Sequence, residues 1–492
     1  MGTTSHQALP NLLILMSDQH SCRFLGCEDG SEINTPHLDA LAANGVRLQN
    51  CYCGSPLCVP SRISWLTARA CHKTGVWNND HSLSSTVPTF AHGLGRAGYR
   101  TVLAGRMHFV GGDQYHGFQE RTVGDVSSQH LGVNQSLERF RGYFYPTEAV
   151  PNAGPGRSNF LEYDRAVAAD ACRIIAEHEA AVAAGRESRP LAIVVSFMCP
   201  HDPYRVTAEY FQRHEGKIGL PVHASASNPD LHPYLSAWRE LWEYGTFSTE
   251  TTLRARAAYA GVVNFVDDLC GQVLDRWRDS TLADDNIIAY LSDHGELAGA
   301  HGLWAKTTYY EDSVRVPLIW HAPGRLPAGS VVSAPSSLLD FGPTLLDLVG
   351  APPLPDTTGI SLKAQLTGSA PMDTERPVFS ELALPKNKKK FEPFPVSRMV
   401  RRGPWKLNHY EGMPPELYNL DEDPDELNDR AADPANAALI DDLEQALTSD
   451  GWSARQVEAE IERRKPDIQY LFDWAVETGT TDPIQWGPAG PH

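Results

Sequence analysis

The most constraining feature of this sequence is an alternation of short apolar runs with longer helical stretches. The runs 11–16, 191–197 and 286–291 are rich in Ile, Leu and Val, which is typical of strands buried on both faces. Residues 157–184 are rich in alanine, and residues 253–277 carry apolar side chains every three or four positions. Apolar strands that alternate with helices predict an α/β fold with a large, mostly parallel sheet sandwiched by helices.

The pattern changes after about residue 375. Short strand-like pieces separated by Pro and Gly follow, then helical stretches near 435–447 and 454–464, and a tail from 478 to 492 that is rich in Gly, Pro and Thr. We therefore predict an α/β domain over residues 1–375. Residues 376–492 should form a C-terminal subdomain with a small antiparallel sheet, helices and an extended tail.

The composition excludes several classes of protein. The 42 Lys and Arg residues face 61 Asp and Glu residues, a net charge of −19, which disfavours binding to nucleic acid. Because no segment approaches a membrane span and no basic region precedes Leu12–Met16, we expect a cytoplasmic protein without membrane attachment. Nine cysteines, an odd number, favour free thiols over a disulfide framework.

Polar residues follow three of the predicted strands where each strand ends. Asp18, His201 and the pair Asp293 and His294 occupy these positions. Ligands of α/β sheets bind beyond the carboxyl ends of the strands, so we expect these side chains to converge. Carboxylates suit Ca²⁺, Mg²⁺ or Mn²⁺, and the added histidine also admits Zn²⁺.

The segment Cys58-Val59-Pro60-Ser61-Arg62 is the sharpest local signal. Pro60 predicts that a helix begins here, and the free backbone N–H groups at a helix start favour binding of an anion. Arg62 lies four residues after Cys58 and so on the same face of that helix. A buried structural cysteine is one alternative, and a zinc site with Cys51 and Cys53 is another. Further candidates that would surround an anion with positive charge and acid–base groups are Arg106, His108, His201 and Lys306.

These motifs resemble those of the formylglycine-dependent sulfatases, a family of the alkaline phosphatase superfamily. The resemblance runs in order from residue 10 to about residue 430 and includes the signature around Cys58, the Ser292–Lys306 stretch and residues 416–426. Residues 105–121 look most like the choline-sulfatase branch, and Ser17-Asp18-Gln19 is also similar to phosphonate monoester hydrolases. The implied fold is that of the alkaline phosphatase superfamily.

The resemblance also implies roles. Cys58, converted to formylglycine and hydrated, would be the nucleophile and a metal ligand. The other metal ligands would be Asp18, Asp293 and His294, with Gln19 as a further ligand or a supporting group. Ca²⁺ is the expected ion, and Mn²⁺ and Mg²⁺ are the alternatives. Of the cationic residues, Arg62 would stabilise the nucleophile and Arg106 would bind the anion. His108 would face the second hydroxyl of the hydrate. His201 and Lys306 would contact the sulfate, and one of them would supply a proton to the leaving oxygen.

The predicted function is metal-dependent hydrolysis of a small sulfate ester, after maturation by a formylglycine-generating enzyme. Hydrolysis of phosphonate monoesters or phosphodiesters at the same site is the alternative. A third hypothesis is a non-catalytic anion- or metal-binding protein with unmodified Cys58. We also expect a homo-oligomer. Aromatic and amide side chains on the surrounding loops are candidates for substrate contact; they are Trp77, Asn78, Asn79, Tyr115, Tyr143, Tyr145 and Tyr204.

Overall fold

A large mixed sheet forms the centre of the protein. The structure is a computed structural model that describes residues 9–126, 146–221, 224, 231–244, 247–384, 395–479 and 485–486. From one edge to the other, the eight strands of the sheet are Ser330–Val332, Val46–Leu48, Leu318–His321, Asn286–Ser292, Asn11–Asp18, Leu191–Pro200, Arg100–Gly105 and Glu120–Val123. Every pair is parallel except the two made by Leu318–His321.

The central strand, Asn11–Asp18, explains the continuous apolar run in the sequence. It pairs in parallel with Leu191–Pro200 on one side and Asn286–Ser292 on the other. Leu12 through Met16 are buried because the sheet is covered on both faces. The predicted α/β class, with its mostly parallel sheet flanked by helices, is confirmed.

Two long helices provide much of that cover. Asn159–Ala183 and Thr249–Arg278 pack against each other and against the Leu191–Pro200 strand. The other helices of this region that the structure describes are Pro36–Ala43, Cys58–Thr67, Cys71–Thr74, Phe90–Ala97, Pro146–Ala149, Ala208–His214, Pro233–Leu241, Glu311–Val314, Phe341–Leu348 and Lys363–Leu366.

The sequence did not indicate the outer strands of the main sheet. Val46–Leu48, Glu120–Val123 and Ser330–Val332 have only three or four residues each, which is too short for a hydrophobic period. The strand expected at 316–320 begins instead at Leu318, directly after Pro317, which has no N–H to donate to a neighbour. Residues 338–340, expected to be α-helical, form a 3₁₀ turn before the helix Phe341–Leu348.

A four-stranded antiparallel sheet follows in the C-terminal part, as expected. Its strands, in spatial order, are Val378–Leu382, Ser397–Arg402, Trp405–Tyr410 and Glu416–Asn419, and the helix Ala437–Thr448 packs on it. The final helix, Ala454–Thr478, is longer than predicted because it continues through Pro466. Of the predicted tail, Thr478 ends the final helix, and Gly479, Gln485 and Trp486 are also described. The Trp486 N–H donates to the Asp125 carbonyl at 2.8 Å. Nowhere in the described residues is there a helix with the length and apolar character of a membrane span.

Candidate active site

Cys58 lies at the first position of a buried helix, Cys58–Thr67. All ten residues of this helix are buried, and Cys58 itself is 1% exposed. Pro60 fits the first turn because an N–H there would have no partner within the helix. The Asn79 side chain accepts a hydrogen bond from Val59 N at 3.0 Å, which caps one of the free donors. Ser61 Oγ donates to the Asp293 carbonyl at 2.5 Å, which holds the helix start against the end of a central strand.

Four potential ligand groups meet in front of Cys58. Its Sγ atom, one carboxylate oxygen each of Asp18 and Asp293, and a ring nitrogen of His294 all lie within 4.8 Å of one another. The three partners of Cys58 come from the ends of two adjacent strands, which is the convergence expected from the sequence. Cys58 Sγ is 3.2 Å from His294 Nε2.

The donor set of this cluster fits a divalent cation. His294 Nδ1 lies 3.1 Å from the Gly295 carbonyl, an acceptor that places the ring proton on Nδ1 and leaves a lone pair on Nε2. Burial lowers the pKa of His294, which keeps it neutral as a ligand must be. Two carboxylates and one imidazole suit Ca²⁺, Mn²⁺, Mg²⁺ or Zn²⁺. Cys51 and Cys53, considered for a zinc site, do not join this group.

Arg62 joins the two carboxylates of the cluster. Its Nη2 donates to Asp18 at 3.0 Å and its Nε donates to Asp293 at 2.8 Å. Its Nη1 donates to the Arg106 carbonyl and to Ser196 Oγ, so the guanidinium is held on every side. Burial raises the pKa of Asp18, but Arg106 and Arg62 outweigh it, and the pKa lies well below its ordinary value.

Arg106 and His108 form a second cationic group beside Asp18. Arg106 Nε donates to Asp18 at 2.7 Å, and Arg106 Nη2 lies 2.6 Å from His108 Nδ1. Asp125, which the sequence did not single out, accepts a hydrogen bond from His108 N at 3.1 Å and is paired with Arg121 at 2.6 Å. The two buried arginines of the site, Arg62 and Arg106, are therefore each paired with a carboxylate.

His201 and Lys306 meet on the other side of the cluster. Lys306 Nζ lies 2.7 Å from His201 Nε2, and His201 Nδ1 lies 2.8 Å from the Asp202 carbonyl. Lys306 Nζ also donates to the amide oxygen of Gln19, whose amide nitrogen donates to Glu296. Burial lowers the pKa of Lys306, but the neighbouring Cys58 and Asp18 raise it above its ordinary value overall, so this amine is protonated.

Glu296 is a hub that the sequence analysis did not identify. One carboxylate oxygen accepts from the N–H groups of Ala298 and Ala305 at 2.8 Å each, and the other accepts from Tyr204 OH at 2.9 Å. Burial raises its pKa to about 7. Gly295 allows the close approach here, because a Cβ on it would lie 2.0 Å from the Asp312 carbonyl oxygen. Glu296 thus fixes the loop that carries Lys306.

Left-handed backbone conformations cluster at the site. Gln19, His108, Ala305 and Thr307 have φ angles of 71°, 60°, 61° and 72°. Each such non-glycine residue costs about 1–2 kcal/mol and persists where the surroundings determine it. Two of the four flank Lys306 directly, so the position of its ammonium group is imposed by the fold.

Not every residue expected near the substrate is part of this arrangement. Tyr204 is buried against Glu296 and Trp304, and Trp77 is buried beneath the guanidinium of Arg464. Tyr115 is 47% exposed. Tyr143 and Tyr145 lie outside the described residues.

Replacing Glu296 with alanine is expected to lower both stability and activity. Two N–H groups and the Gln19 amide would lose their acceptor, which costs at least about 3 kcal/mol in total at about 1–3 kcal/mol for each buried group left unpaired. Loss of the support behind Lys306 is expected to lower kcat/KM by about 10–100-fold. Glu296→Gln, which keeps an oxygen for the backbone donors, is the matched control and should retain more of both. Thermal unfolding and hydrolysis kinetics measure the effects, and an alanine variant within about twofold of wild type would contradict this assignment.

Comparison with known families accounts for most of the chain. The Sulfatase family model matches residues 10–351, and the model for the C-terminal part of N-sulphoglucosamine sulphohydrolase matches residues 299–451. The chain is 33% identical over 441 residues to a choline-sulfatase of Rhizobium meliloti, covering 86% of this chain and 83% of that protein. It is 26% identical to arylsulfatase K of Bos taurus, covering 86% and 78%.

A solved structure is similar to this chain over most of its length. The crystal structure of a phosphonate monoester hydrolase of Agrobacterium radiobacter superimposes with a TM-score of 0.74 at 25% identity. The match covers 89% of this chain and 95% of that one.

Proposed function

The chain belongs to the sulfatase family, and from that membership we propose that it cleaves sulfate esters with a nucleophile made from Cys58 and one bound divalent metal ion. As a family member it is a sulfuric ester hydrolase. The observation that carries the finer proposal is the cluster of Cys58, Asp18, Asp293 and His294 at the start of a buried helix. The resemblance of the Cys58–Arg62 segment to the sulfatase signature supports it.

Residue 58 supplies the chemistry once it has been oxidised. Formylglycine in its hydrated form provides one hydroxyl for attack on sulfur and a second hydroxyl that allows the residue to be regenerated. The proposal therefore includes one protein partner, a formylglycine-generating enzyme, which acts during maturation. A non-catalytic binding protein would need none of this machinery.

The metal ion would be held by Asp18, Asp293, His294 and residue 58. When bound, it lowers the pKa of a coordinated hydroxyl group and neutralises charge on the sulfate. Conversion of the thiol to hydroxyl groups makes the donor set richer in oxygen, which favours Ca²⁺, with Mn²⁺ or Mg²⁺ as alternatives. Gln19 would be a supporting group and not a metal ligand, because its amide group already hydrogen-bonds to Lys306 and Glu296.

The cationic residues bind and orient the anionic ester. Arg106 is fixed by Asp18, so its positive charge is in place before the substrate arrives. Arg62 is fixed by the same carboxylate and would stabilise the nucleophile. Lys306 is protonated and touches His201, so this pair can deliver a proton to the alcohol oxygen as it leaves. The alcohol would be small.

A phosphonate monoester or phosphodiester hydrolase is the second candidate. The similarity to the phosphonate monoester hydrolase of Agrobacterium radiobacter favours it, because both esters are tetrahedral anions. The basic pair Arg106 and His108 is the feature of this chain that favours the sulfatase activity.

Comparing the two activities on one preparation tests the proposal. The protein is made in its own host or beside a maturing enzyme, and the mass of the peptide containing residue 58 establishes the extent of conversion. The ratio of kcat/KM for an aryl sulfate and an aryl phosphonate monoester is then measured with Ca²⁺ present. A higher value for the sulfate supports the proposal, whereas a higher value for the phosphonate with full conversion overturns it.

We also propose how the chain is divided into domains. We place the catalytic residues in a domain over residues 1–375 and assign residues 376–492 to a separate C-terminal subdomain. We also propose that the enzyme is a cytoplasmic homo-oligomer.

A further inference from the structure

We propose that the first turns of the helix Asn159–Ala183, through Asp164 and Phe160, position His201 so that the pair of His201 and Lys306 can pass a proton to the leaving alcohol. Asp164 is thereby assigned as a positioning residue, since it acts on the reacting atoms only through His201. The inference rests on the proposed function and adds to it the part of the fold that holds the acid in place.

The strand Leu191–Pro200 is irregular where it approaches the site. Met16 of the central strand lies opposite Ser196. Asp18, two positions later, lies opposite Pro200, four positions later, so the strand carries two extra residues here. Its pairing with the strand on its other side also ends at Ser196. A bulge of this kind leaves backbone N–H groups without partners in the sheet, and in a buried segment these groups need another acceptor.

Asp164 supplies that acceptor from a helix packed on this strand. Its Oδ1 accepts from Met198 N at 2.7 Å, and its Oδ2 accepts from Cys199 N at 2.8 Å. The carboxylate is fully buried, and burial raises its pKa to about 7 although the two N–H groups lower it. Burying a carboxylate costs free energy that an apolar side chain would not, and its effect here is to fix two consecutive residues of the bulge.

The bulge determines where His201 lies. The His201 N–H donates to the Met198 carbonyl at 3.3 Å, so the residue that Asp164 holds by its N–H also closes the turn before the histidine. The ring is held at both nitrogens, with Nδ1 2.8 Å from the Asp202 carbonyl and Nε2 2.7 Å from Lys306 Nζ. A displacement of Met198 would therefore move the ring relative to Lys306 and to the ester.

Phe160 contacts the same histidine from one helical turn earlier. Residues 160 and 164 are four apart and so share a helix face. The Phe160 ring lies 6.5 Å from the His201 ring in an edge-to-face arrangement, which is within the range of favourable aromatic contacts. Phe160 is also buried. The helix start therefore holds the backbone before His201 through Asp164 and the ring of His201 through Phe160.

The position of this histidine affects one step of the reaction. When a deprotonated hydroxyl group of residue 58 attacks sulfur, a new bond forms between them, and the bond between sulfur and the alcohol oxygen breaks. The electron pair of that bond stays on the alcohol oxygen, which takes a proton from the His201 and Lys306 pair. A basic leaving group depends on this proton, whereas 4-nitrophenolate is stable without it. Misplacement of His201 should therefore slow the esters of basic leaving groups most.

The dependence of the rate on the leaving group tests the assignment. kcat/KM is measured for phenyl sulfate and 4-nitrophenyl sulfate, referred to the converted fraction of residue 58. In Asp164→Asn the amide keeps the shape of the side chain but opposes one of the two backbone N–H groups with its own. We expect a loss of about 10²-fold for phenyl sulfate, the usual effect of misplacing a group by about 1 Å, and of less than about 10-fold for 4-nitrophenyl sulfate. Equal losses on the two esters overturn the proposal.

Asp267→Asn is the matched control. Asp267 is also a buried carboxylate on a long helix, and it accepts from His37 N at 3.2 Å and from Leu38 N at 2.9 Å. Burial raises its pKa in the same way, to about 6. Its partners begin the helix Pro36–Ala43, outside the site. This variant should lower the melting temperature about as much and keep the wild-type ratio of the two esters. A change of that ratio as large as in Asp164→Asn would show general loosening and overturn the proposal.

Phe160→Leu keeps the test decisive if Asp164→Asn does not fold. The carboxylate and both of its hydrogen bonds stay in place, and only the ring beside His201 is lost. We expect the ratio of the two esters to change in the same direction by about 3–10-fold, the equivalent of one aromatic contact. An unchanged ratio in Phe160→Leu, where Asp164→Asn yields no folded protein, overturns the proposal.

The outcomes separate this inference from the proposed function. If the wild type hydrolyses sulfate esters and Asp164→Asn keeps the wild-type ratio, the function stands and the positioning role is wrong. If the wild type hydrolyses phosphonate monoesters instead, the proposed function fails, and the same ratio measured with phenyl and 4-nitrophenyl phosphonates decides the positioning role. A wild type with converted residue 58 that cleaves neither class overturns both.

Discussion

Replacing Cys58 with alanine is expected to lower kcat for aryl sulfate by about 10⁵-fold or more, because removal of a nucleophile typically costs a factor of about 10⁶. Cys58→Ser should behave differently. Its single hydroxyl can attack sulfur and expel the alcohol, but with no second hydroxyl the sulfate stays on the serine. Hydrolysis should therefore stop after one turnover per active site, and the residue-58 peptide should gain the mass of one sulfo group.

A neighbouring cysteine provides the control for this experiment. Cys53 is fully buried five residues earlier and lies outside the ligand cluster. Cys53→Ala should keep multiple turnovers and normal conversion of residue 58. A Cys58→Ala enzyme that retained activity within about 100-fold of wild type would show that the nucleophile is another group.

Arg62→Leu is expected to cause a large loss of stability that depends on the metal ion. The change leaves the buried carboxylates of Asp18 and Asp293 without the cation that joins them. Breaking a buried ion pair from one side costs about 3–5 kcal/mol. A divalent ion compensates the same carboxylates, so the loss should be smaller in Ca²⁺ than in a chelator. Urea unfolding in both conditions measures the difference.

Arg173→Leu is the matched control. Arg173 also contacts two carboxylates, Asp170 and Glu177, but its side chain is 49% exposed. Exposed pairs contribute about 0–1 kcal/mol, so this variant should unfold close to wild type and show no dependence on Ca²⁺. A loss for Arg62→Leu no larger than that for Arg173→Leu, or unaffected by the ion, would argue against a shared metal and arginine site.

The sequence identified those parts of the site that depend on general rules of α/β sheets. Asp18, His201, Asp293 and His294 could be brought together because adjacent parallel strands end at one edge. Arg62 could be placed beside Cys58 because residues four apart share a helix face.

The supporting residues were beyond the reach of such rules. Glu296 acts through the N–H groups of Ala298 and Ala305, whose positions depend on left-handed backbone that no periodicity encodes. Asp125 follows an edge strand too short to recognise, and its partners lie in other segments. The final helix exceeded its prediction because Pro466 removes one hydrogen bond but does not end the helix.

The burial of Cys58 sets an order of events in biosynthesis. In the folded chain Cys58 is the buried first residue of a helix with no exposed residue, so no second enzyme can close an active site around its sulfur. The proposed oxidation is therefore expected to precede the folding of this segment. Folding and modification compete for the same short interval, and a host that folds the chain quickly but lacks a fast oxidising enzyme will accumulate a stable, correctly shaped and inactive protein.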